Sequence, residues 1–525
     1  MSYKVLVSDK LAEEGLEVLH KAEGIEVVVN TGLSEDELCG IIGDVHGLVI
    51  RSGTKVTAKV LEAASELKVI GRAGIGVDNV DLAAASKKGV VVMNTPFGNA
   101  VTTAEHALSL LDALCRHIPQ ATASMKAGKW EKKLFQGREK WNKTLGIVGL
   151  GNIGKIAADR ARGLHMKVIA ADPVISKEEA ESLGVELVSF DELLKRSDFI
   201  SIHAPLVAST KHLFDAAAFK KMKKEALLVN AARGGIVDET ALVAALKDGT
   251  IAGAALDVFE TEPPASDHPI FALDNAIVTP HLGASTHEAQ TRVGVQISEQ
   301  IVAYLKDGKV ENGVNVPAMS DDAAERVGSV VGVAQRLGAL LGQLSDGPRE
   351  FRVTASGAIA DLVSPLAREA LAAFLEKQTG EAVNPLSALY EAKDKNIELV
   401  EVSAPEDARP NLRITVNDAD GIHTATGRRS RAGELRLVGL EGYPMDAILK
   451  GHSLVITNDD KPGVIGAVGS VLGEAGVNVS RLQVGLDEET GRALMLWNVA
   501  DVVPPTVLDK IQKVEHIQSA VLVTV

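Results

Sequence analysis

The stretch Lys143–Asp172, KTLGIVGLGNIGKIAADRARGLHMKVIAAD, contains the pattern that decides the fold of this chain. An apolar run, Leu145–Leu150, predicts a buried strand that leads into a G-x-G-x-x-G turn, a helical segment and a second strand. The glycines permit a tight turn, close approach of the backbone to a pyrophosphate, and close packing of helix against strand. The helix N-terminus offers free N–H groups to the phosphates. This order of elements predicts a Rossmann-type dinucleotide-binding domain.

The second strand of this unit ends at Asp172, and that residue bears on the choice of nucleotide. A carboxylate here can accept hydrogen bonds from the adenosine ribose and would repel the 2′-phosphate of NADP. The sequence therefore favours NAD as the cofactor, bound at the turn formed by Gly149, Gly151 and Gly154.

Composition and charge limit the classes of protein that need to be considered. The chain has 525 residues, enough for about three or four domains. Its formal net charge of −15 argues against nonspecific binding to nucleic acid or to an anionic membrane. Two cysteines, Cys39 and Cys115, indicate neither a disulfide framework nor a zinc site. Because apolar stretches fall short of the ~20 residues that span a bilayer, we expect a cytoplasmic protein. We expect no bound metal.

Strand and helix patterns predict an α/β protein of four domains. Short strands alternate with helices before the nucleotide unit, as in a flavodoxin-like parallel sheet, and a long helical pattern after it returns the chain there. A mixed α+β region follows, and the last segment has the order strand, helix, strand, strand, helix, strand of a ferredoxin-like unit. The expected domains are a discontinuous substrate domain (1–98 and 285–317), a nucleotide domain (99–284), an intervening domain (318–450) and a ferredoxin-like domain (451–525).

Three turns after predicted strands carry polar groups at the end of the sheet where open parallel sheets bind ligands. They contain Arg233, Glu262 and His281. Oxidation of a 2-hydroxy acid needs a cation for the carboxylate, a base for the hydroxyl proton and a hydride acceptor. Guanidinium pairs bidentately with a carboxylate, and imidazole titrates near neutral pH. We therefore expect the arginine to bind the carboxylate, the histidine to take the proton, and the glutamate to orient and stabilise the histidine.

The motifs GLGNIG, NAARGG, DVFETEPP and TPHLGAST together resemble those of the D-isomer-specific 2-hydroxyacid dehydrogenases, whose motif order residues 1–317 follow throughout. The resemblance implies the same roles for Arg233, Glu262 and His281. It also implies cofactor contacts at Gly149, Gly151, Asn152, Ile153, Gly154, Asp172, Ala204, Ala231, Arg233, Asp257, His281, Gly283 and Ala284.

Upstream motifs narrow the resemblance to the branch of this family that oxidises D-3-phosphoglycerate to 3-phosphooxypyruvate, on the route to L-serine. LVIRSGTKVT, VIGRAGIGVDNVD and NTPFGNAVTTAEHAL are similar to the substrate half of that branch, although Ile75 stands where many relatives have a hydroxyl. The basic loop Trp130–Arg138 could reach a phosphate site of a neighbouring subunit. The resemblance implies substrate contacts at Arg51, Ser52, Arg72, Gly74, Asn99, Arg233 and His281.

The ferredoxin-like unit resembles an ACT domain, and the whole chain resembles the long form of the same branch. That form implies a homotetramer and feedback by L-serine, bound between ACT domains at Asn458, Asp460 and Asn478. Asp460 would also suit a helix cap before Pro462. Basic residues in the intervening domain suit either a phosphate-bearing effector or a solvated surface: Arg428, Arg429 and Arg431.

Several alternatives stay open on the sequence alone. His203 follows a predicted strand and is a rival base, whereas His106 has the spacing of a packed helix residue. The substrate could be another 2-hydroxy acid, such as glycerate or 2-hydroxyglutarate. The chain could also be a non-catalytic, NAD-sensing interaction protein on the same scaffold.

Overall fold

The computed structural model describes residues 2–317, 321–407, 409–419 and 421–525. The chain divides into two compact units. The first unit extends to Lys55 and includes Val69–Asn79 and Met93–Asn312. The second unit consists of Val56–Lys68, Val80–Val92 and the described residues from Gly313 onward. The domain boundaries proposed from the sequence stay predictions.

The N-terminal sheet has five strands: β1 (Tyr3–Val7), β2 (Ile25–Val29), β3 (Gly47–Ile50), β4 (Val69–Arg72) and β5 (Val91–Asn94). Their order, β2-β1-β3-β4-β5, is the flavodoxin-like order predicted above. The pairs β1–β2, β1–β3 and β3–β4 are parallel. The helices of this part of the chain are α1 (Glu13–Lys21), α2 (Glu35–Ile41), α3 (Ala58–Ala63) and α4 (Leu82–Lys87).

The nucleotide domain contains a seven-stranded sheet built from β6 (Thr144–Val148), β7 (Lys167–Ala171), β8 (Glu186–Leu187), β9 (Phe199–Ile202), β10 (Leu227–Asn230), β11 (Gly253–Leu256) and β12 (Ala276–Val278). All the pairs are parallel, and the order β12-β11-β10-β9-β6-β7-β8 is doubly wound. The predicted Rossmann-type fold is confirmed. The strand order reverses beside β6, so the carboxyl end of β6 opens onto the ligand-binding crevice.

Helices and short 3₁₀ turns accompany this sheet: α5 (Ala100–Arg116), α6 (Ile118–Lys126), α7 (Asn152–Gly163), α8 (Lys177–Ser182), α9 (Phe190–Arg196), α10 (Ala216–Lys221), α11 (Glu239–Lys247), and the 3₁₀ turns Lys132–Phe135 and Pro269–Ala272. Helix α12 (His287–Asp307) follows β12 and packs against the N-terminal sheet. The helix predicted before the nucleotide unit ends where His117 adopts a left-handed conformation, with φ of 51°. The long α12 packs against α1, where a Cβ added to Gly15 would lie 2.7 Å from the carbonyl carbon of Gly294. The absence of a side chain at Gly15 allows the two helices to approach so closely.

The intervening region combines a mixed sheet with helices. Its strands are β13 (Glu350–Ser356), β14 (Glu398–Ala404), β15 (Leu412–Asn417), β16 (Ile422–Arg429), β17 (Leu435–Leu440) and β18 (Tyr443–Ile448). The order is β14-β13-β15-β16-β17-β18, in which β13–β14 is the parallel pair. The helices are α13 (Asp321–Leu344), α14 (Val363–Thr379), α15 (Ala388–Asp394) and the 3₁₀ segment Gly357–Leu362. The pairs β15–β16 and β16–β17 are antiparallel hairpins, as the glycine-containing turns between these strands predict.

Helix α13 has the length and apolar composition of a membrane-crossing helix, contrary to the expectation from the sequence. The buried residues of this helix, which include Leu337, Leu340 and Leu341, belong to the core of the intervening region, together with Phe374 of α14. The core helix of a folded domain passes the same length and hydropathy test, and the test alone therefore decides nothing about membranes.

The C-terminal domain follows the predicted order of elements: β19 (His452–Asp459), α16 (Val464–Glu474), β20 (Val479–Asp487), β21 (Arg492–Val499), α17 (Pro505–Gln512) and β22 (Ile517–Thr524). Its antiparallel sheet has the order β20-β21-β19-β22. The predicted ferredoxin-like topology is therefore confirmed.

Candidate active site

His281 and Glu262 form a hydrogen-bonded pair, with 2.7 Å between Nδ1 of the imidazole and Oε2 of the carboxylate. The other carboxylate oxygen accepts the backbone N–H of Phe259 at 3.0 Å. Burial alone would raise the pKa of Glu262, but the hydrogen bonds from His281 and Phe259 outweigh it and hold that pKa below its usual value. Glu262 is therefore ionised at neutral pH and acts only as an acceptor, so Nδ1 of His281 carries the proton and Nε2 is left with a free lone pair.

Asp257, whose side chain is fully buried, stabilises the turn that presents His281. Its carboxylate accepts hydrogen bonds from the backbone N–H groups of Leu282 and Gly283, at 2.7 and 2.8 Å, and from Thr279 Oγ1 at 2.5 Å. Burial would raise the pKa of Asp257, and the hydrogen bonds from His106 and Thr279 lower it instead. The structure thus shows Asp257 stabilising the turn; direct contact with a cofactor stays a prediction.

Arg233 lies in the turn after β10, and Asn230 stabilises that turn by accepting the N–H of Ala232 and donating to the carbonyl of Arg233. The guanidinium Nε donates to Asp78 Oδ2 at 2.8 Å. Gly76 makes this reach possible, because a Cβ at that position would overlap the guanidinium. Arg233 therefore extends from the nucleotide-domain turn to the segment that follows β4.

Arg72 and Arg51 contribute further positive charge to the same site. Burial, followed by the charge of Arg233, lowers the pKa of Arg72 to about 10, which leaves this guanidinium protonated at neutral pH. Asn79 connects the two strand ends, because its side chain accepts from Arg72 Nε at 3.2 Å and donates to the carbonyl of Arg51 at 2.6 Å. Sequence reasoning missed Asn79 and Asp78, although both lie within the motif VIGRAGIGVDNVD.

Two other predicted substrate residues differ in their exposure. Ser52 is exposed, on the loop after β3. Asn99 precedes α5 and is 8 % exposed. Among the described residues, the buried Oδ1 of Asn99 has no hydrogen-bond partner. A buried carbonyl oxygen without a partner costs free energy, so Asn99 is suited to accept a hydrogen bond from a ligand.

The glycine turn has the backbone geometry that a pyrophosphate requires. Gly149 adopts a positive φ of 91°, and a Cβ at Gly154 would overlap the carbonyl of Gly149. Gly151 precedes α7, and within the described part of the chain no side chain caps the N-terminus of this helix. The free N–H groups therefore face the crevice, and this turn fits the phosphates of a dinucleotide.

Asp172 stands at the end of β7, beside the glycine turn. Its carboxylate accepts the N–H groups of Leu150 at 2.7 Å, Val174 at 2.7 Å and Ile175 at 3.1 Å. Burial would raise the pKa of Asp172, but these backbone donors lower it below its usual value. The carboxylate is thus ionised and held in place, and its remaining lone pairs can accept hydrogen bonds from the hydroxyl groups of a ribose.

Other predicted cofactor residues lie around the same crevice. Asn152 Nδ2 is 3.5 Å from the carbonyl of Pro96. The side chain of Ile153 packs against the domain core, which leaves its backbone for a cofactor contact. Ala204 and Ala231 are 9 % and 5 % exposed and follow β9 and β10. Gly283 and Ala284 continue the turn after His281.

The rival base His203 and the helix residue His106 have different surroundings from His281. Burial lowers the pKa of His203 to about 4, and its Nε2 lies 2.9 Å from Ser201 Oγ. His106 Nε2 lies 3.1 Å from the buried Asp257, which places this histidine in the support of the turn. Of these histidines, only His281 combines an ionised carboxylate partner with a half-exposed ring, 45 % accessible.

Comparisons with known proteins agree with this geometry. Family models match residues 108–283 (D-isomer specific 2-hydroxyacid dehydrogenase, NAD binding domain), 326–441 (D-3-phosphoglycerate dehydrogenase intervening domain) and 452–516 (ACT domain). D-3-phosphoglycerate dehydrogenase of Archaeoglobus fulgidus is 41% identical, and the alignment covers 99% of both chains. The Synechocystis sp. enzyme of the same name is 40% identical over 98% of this chain and 94% of the relative. The chain belongs to the D-3-phosphoglycerate dehydrogenase family.

Membership in this family makes the chain an NAD-dependent oxidoreductase, and the predicted cofactor is confirmed. Among solved structures, NAD-dependent formate dehydrogenase from Staphylococcus aureus in complex with NAD is 29% identical, with a TM-score of 0.54. That likeness covers 60% of this chain and 100% of the other. The family therefore agrees with the crevice geometry on the nucleotide, while the roles of individual site residues stay predictions.

The ACT residues predicted for an effector lie at opposite ends of the antiparallel sheet within one chain, because Asn458 pairs with Ala493 of β21 whereas Asn478 precedes Val479, which pairs with Val499. Asn458, at the end of β19, is 3 % exposed, and its Oδ1 is buried without a hydrogen-bond partner among the described residues. Asp460 and Asn478 are exposed. Asp460 lies four residues before α16, which begins after Gly463 and, in the part of the chain that the structure describes, has no side-chain cap. The alternative role of Asp460 as a helix cap is therefore wrong.

Proposed function

We propose that this chain oxidises D-3-phosphoglycerate to 3-phosphooxypyruvate with NAD, the first step of the phosphorylated route to L-serine. The observation that carries the proposal is the hydrogen bond between His281 and Glu262, at the same edge of the sheet as Arg233, in a chain whose relatives bear this enzyme's name over nearly their full length. The three side chains provide the base, its carboxylate partner and the cation that a 2-hydroxy acid requires.

His281 is proposed to take the hydroxyl proton of the substrate at Nε2, because Nδ1 already donates to Glu262. The imidazolium that forms is stabilised by the adjacent ionised carboxylate. In the reverse direction the same protonated imidazole returns its proton to the substrate oxygen. NAD, when bound, supplies the acceptor for the hydride that leaves C2.

Three arginines are proposed to bind the anionic groups of the substrate. Arg233, in the turn after β10, is assigned to the carboxylate, while Arg51 and Arg72 are assigned to the phosphate. Asp78 offsets part of this positive charge through its contact with Arg233. A substrate that carries both anionic groups gains more from this cluster than glycerate does, which supports a phosphorylated substrate.

The effector, the assembly and the location of this chain are also proposals. L-serine is the proposed effector, with Asn458, Asp460 and Asn478 as its ligands between two ACT domains. The unpartnered amide oxygen of Asn458 supports the proposed effector, because it is suited to accept a hydrogen bond from the amino group of an amino acid. A homotetramer in the cytoplasm is the assembly and location that the family resemblance implies.

The test is to measure NADH formation by the purified full chain with D-3-phosphoglycerate, D-glycerate and 2-hydroxyglutarate in parallel, each with and without L-serine. Turnover that favours phosphoglycerate and falls with serine is the expected result. The same preference without an effect of serine would remove the effector from the proposal. Preference for either of the other acids would overturn the substrate, and NAD binding without any turnover would favour an interaction protein.

A further inference from the structure

A second histidine–carboxylate pair lies beside the first one. His268 Nε2 is 2.9 Å from Glu239 Oε2, and the two side chains are only 16 % and 13 % exposed. Glu239 is the first residue of α11, and His268 precedes the 3₁₀ turn at Pro269–Ala272. Neither residue belongs to the machinery assigned above, and a pair so enclosed is not placed to meet substrate directly.

Glu239 binds the backbone of the loop that carries Glu262. Its Oε1 accepts the N–H of Glu260 at 2.6 Å, while its own N–H donates to Glu260 Oε1 at 3.2 Å. Charge-assisted hydrogen bonds of this kind fix backbone position more firmly than neutral ones. The pairing of the two glutamates therefore ties the loop to the start of α11 by two bonds.

His268 orients Glu239 and supports the same loop from the side. Its Nδ1 accepts the N–H of Ile270 at 3.3 Å, so the ring hydrogen lies on Nε2 and points to Glu239. The imidazole also contacts Phe259 edge-on, with ring centroids 5.9 Å apart, and Phe271, with centroids 5.5 Å apart. The position of Phe259 is thus fixed by contacts of both its ring and its backbone.

The supported residues lead directly to the proposed base. The N–H of Phe259 donates to Glu262 Oε1, and Glu262 Oε2 accepts from His281. Gly234, the neighbour of Arg233, packs against the same peptide, because a Cβ there would overlap the carbonyl of Phe259. A shift of the peptide between Phe259 and Glu260 would therefore move the carboxylate that orients His281.

We propose that Glu239 and His268 form a positioning unit that sets Glu262, and through it His281, in the geometry needed for proton transfer. This proposal rests on the function proposed above, since it assumes that His281 is the base. The unit acts through Glu262 and touches neither substrate nor cofactor. Sub-ångström placement of such groups governs the rate of the chemical step more than the binding of ligands.

The test compares Glu239→Gln, His268→Gln and the double variant with the unmodified chain, in NADH formation from D-3-phosphoglycerate. Glu239→Gln keeps the side-chain shape but removes the charge that holds the N–H of Glu260. We expect kcat to fall about 10-fold to 100-fold, with Kd for NAD from calorimetry and KM for phosphoglycerate within about twofold of their original values. The double variant should lose no more than the worse single variant, because the pair works as one unit.

A pH profile separates positioning from general damage. When Glu262 is loosened, it stabilises the protonated form of His281 less, so the acid limb of kcat/KM should move to lower pH. Glu186→Gln is the matched control, since it removes the charge of an exposed carboxylate paired with Arg196 in the same domain, and it should leave both the rate and the profile unchanged. If Glu239→Gln fails to fold, as judged by circular dichroism and NAD binding, His268→Gln carries the test.

The outcomes distinguish this proposal from the function on which it rests. No NADH from the unmodified chain would overturn the proposed function. Turnover by that chain, with kcat and the acid limb both unchanged in Glu239→Gln and His268→Gln, would overturn the positioning role alone. A loss that appears only in KM or in Kd for NAD would also overturn it, because it would assign the pair to ligand binding.

Discussion

The pairs His281–Glu262 and His268–Glu239 join the same two kinds of side chain at nearly the same distance, 2.7 and 2.9 Å. The first pair is 45 % and 37 % exposed, and the second is 16 % and 13 % exposed. The contact with a carboxylate is therefore common to both pairs, and exposure distinguishes them. In the roles proposed above, the exposed pair meets the substrate and the enclosed pair stabilises a loop.

Each position follows from the elements that carry it. His281 lies in a turn beyond the carboxyl end of β12, where the sheet opens onto ligand, and a positive φ of 54° accompanies this turn. His268 precedes a 3₁₀ turn and packs against two phenylalanine rings. Variants of these residues can test whether the first pair reacts with substrate and the second only supports it.

Replacement of the exposed histidine should have the largest effect. His281→Ala removes the proposed base, and we expect kcat to fall about 1,000-fold or more. NAD binding, measured by calorimetry, should stay within about twofold, because the glycine turn and Asp172 are untouched. His20→Ala, at an exposed histidine of α1, is the control for replacement of a surface ring. Near-normal turnover by His281→Ala would assign the role of base to His203, and the two histidine–carboxylate pairs would then not differ in function.

Replacement of the partner carboxylate should cost less. In Glu262→Gln the amide can turn its NH₂ group toward His281 and favour the wrong tautomer, and it cannot stabilise the imidazolium. We expect kcat to fall about 100-fold, while KM for phosphoglycerate changes little. Steady-state rates over a range of substrate concentrations measure both values. A change confined to KM would mean that Glu262 binds substrate rather than supporting the base.

Stability should respond in the opposite order to activity. His268→Ala removes a mostly buried ring with a carboxylate partner, and we expect the free energy of unfolding to fall by about 2 to 3 kcal/mol. His281→Ala should lower the same quantity by less than about 0.5 kcal/mol, since its ring is half exposed. Urea unfolding followed by circular dichroism provides both values. Equal losses would show that the two pairs share one structural role.

His203 extends the comparison to a histidine whose observed contact is a hydroxyl, that of Ser201. Burial lowers its pKa from 6.5 to about 4, so the folded chain keeps this ring neutral where the unfolded chain protonates it. The neutral ring thus stabilises the fold above pH 6.5, and that contribution is lost as the pH falls toward 4. Between pH 7 and pH 5, the unmodified chain should lose about 2 kcal/mol more than His203→Gln. Parallel urea titrations at the two pH values would show it, and equal losses would contradict it.

Much of the fold and part of the site could be predicted because local signals mark them. The glycine turn and the alternation of strands and helices specify the parallel sheets. Arg233, Glu262 and His281 each lie in a short motif directly after a strand, so their meeting at one sheet edge follows from topology. The hairpins around β16 were predictable from their turn residues.

The remaining features depend on contacts between distant residues. Glu239 and His268 are separated by 29 residues and lie in no turn motif, so their pairing appears only when α11 and the 3₁₀ turn are folded. Asn79 and Asp78 form their contacts with strand ends and with a turn of the nucleotide domain. Strand β13 and helix α14 lie in the part of the mixed region for which no individual elements were predicted, although the alternation of buried residues in β13 was an available signal.

The contact between Arg233 and Asp78 has a consequence for how ligands leave. A guanidinium that already has a carboxylate neighbour gains less from a second one, so the cleft gives up some affinity for every anion that enters. Asp78 is 62 % exposed. If Arg233 binds the substrate carboxylate as proposed, Asp78 would compete with that carboxylate for the guanidinium, which would lower the affinity and favour release of the product.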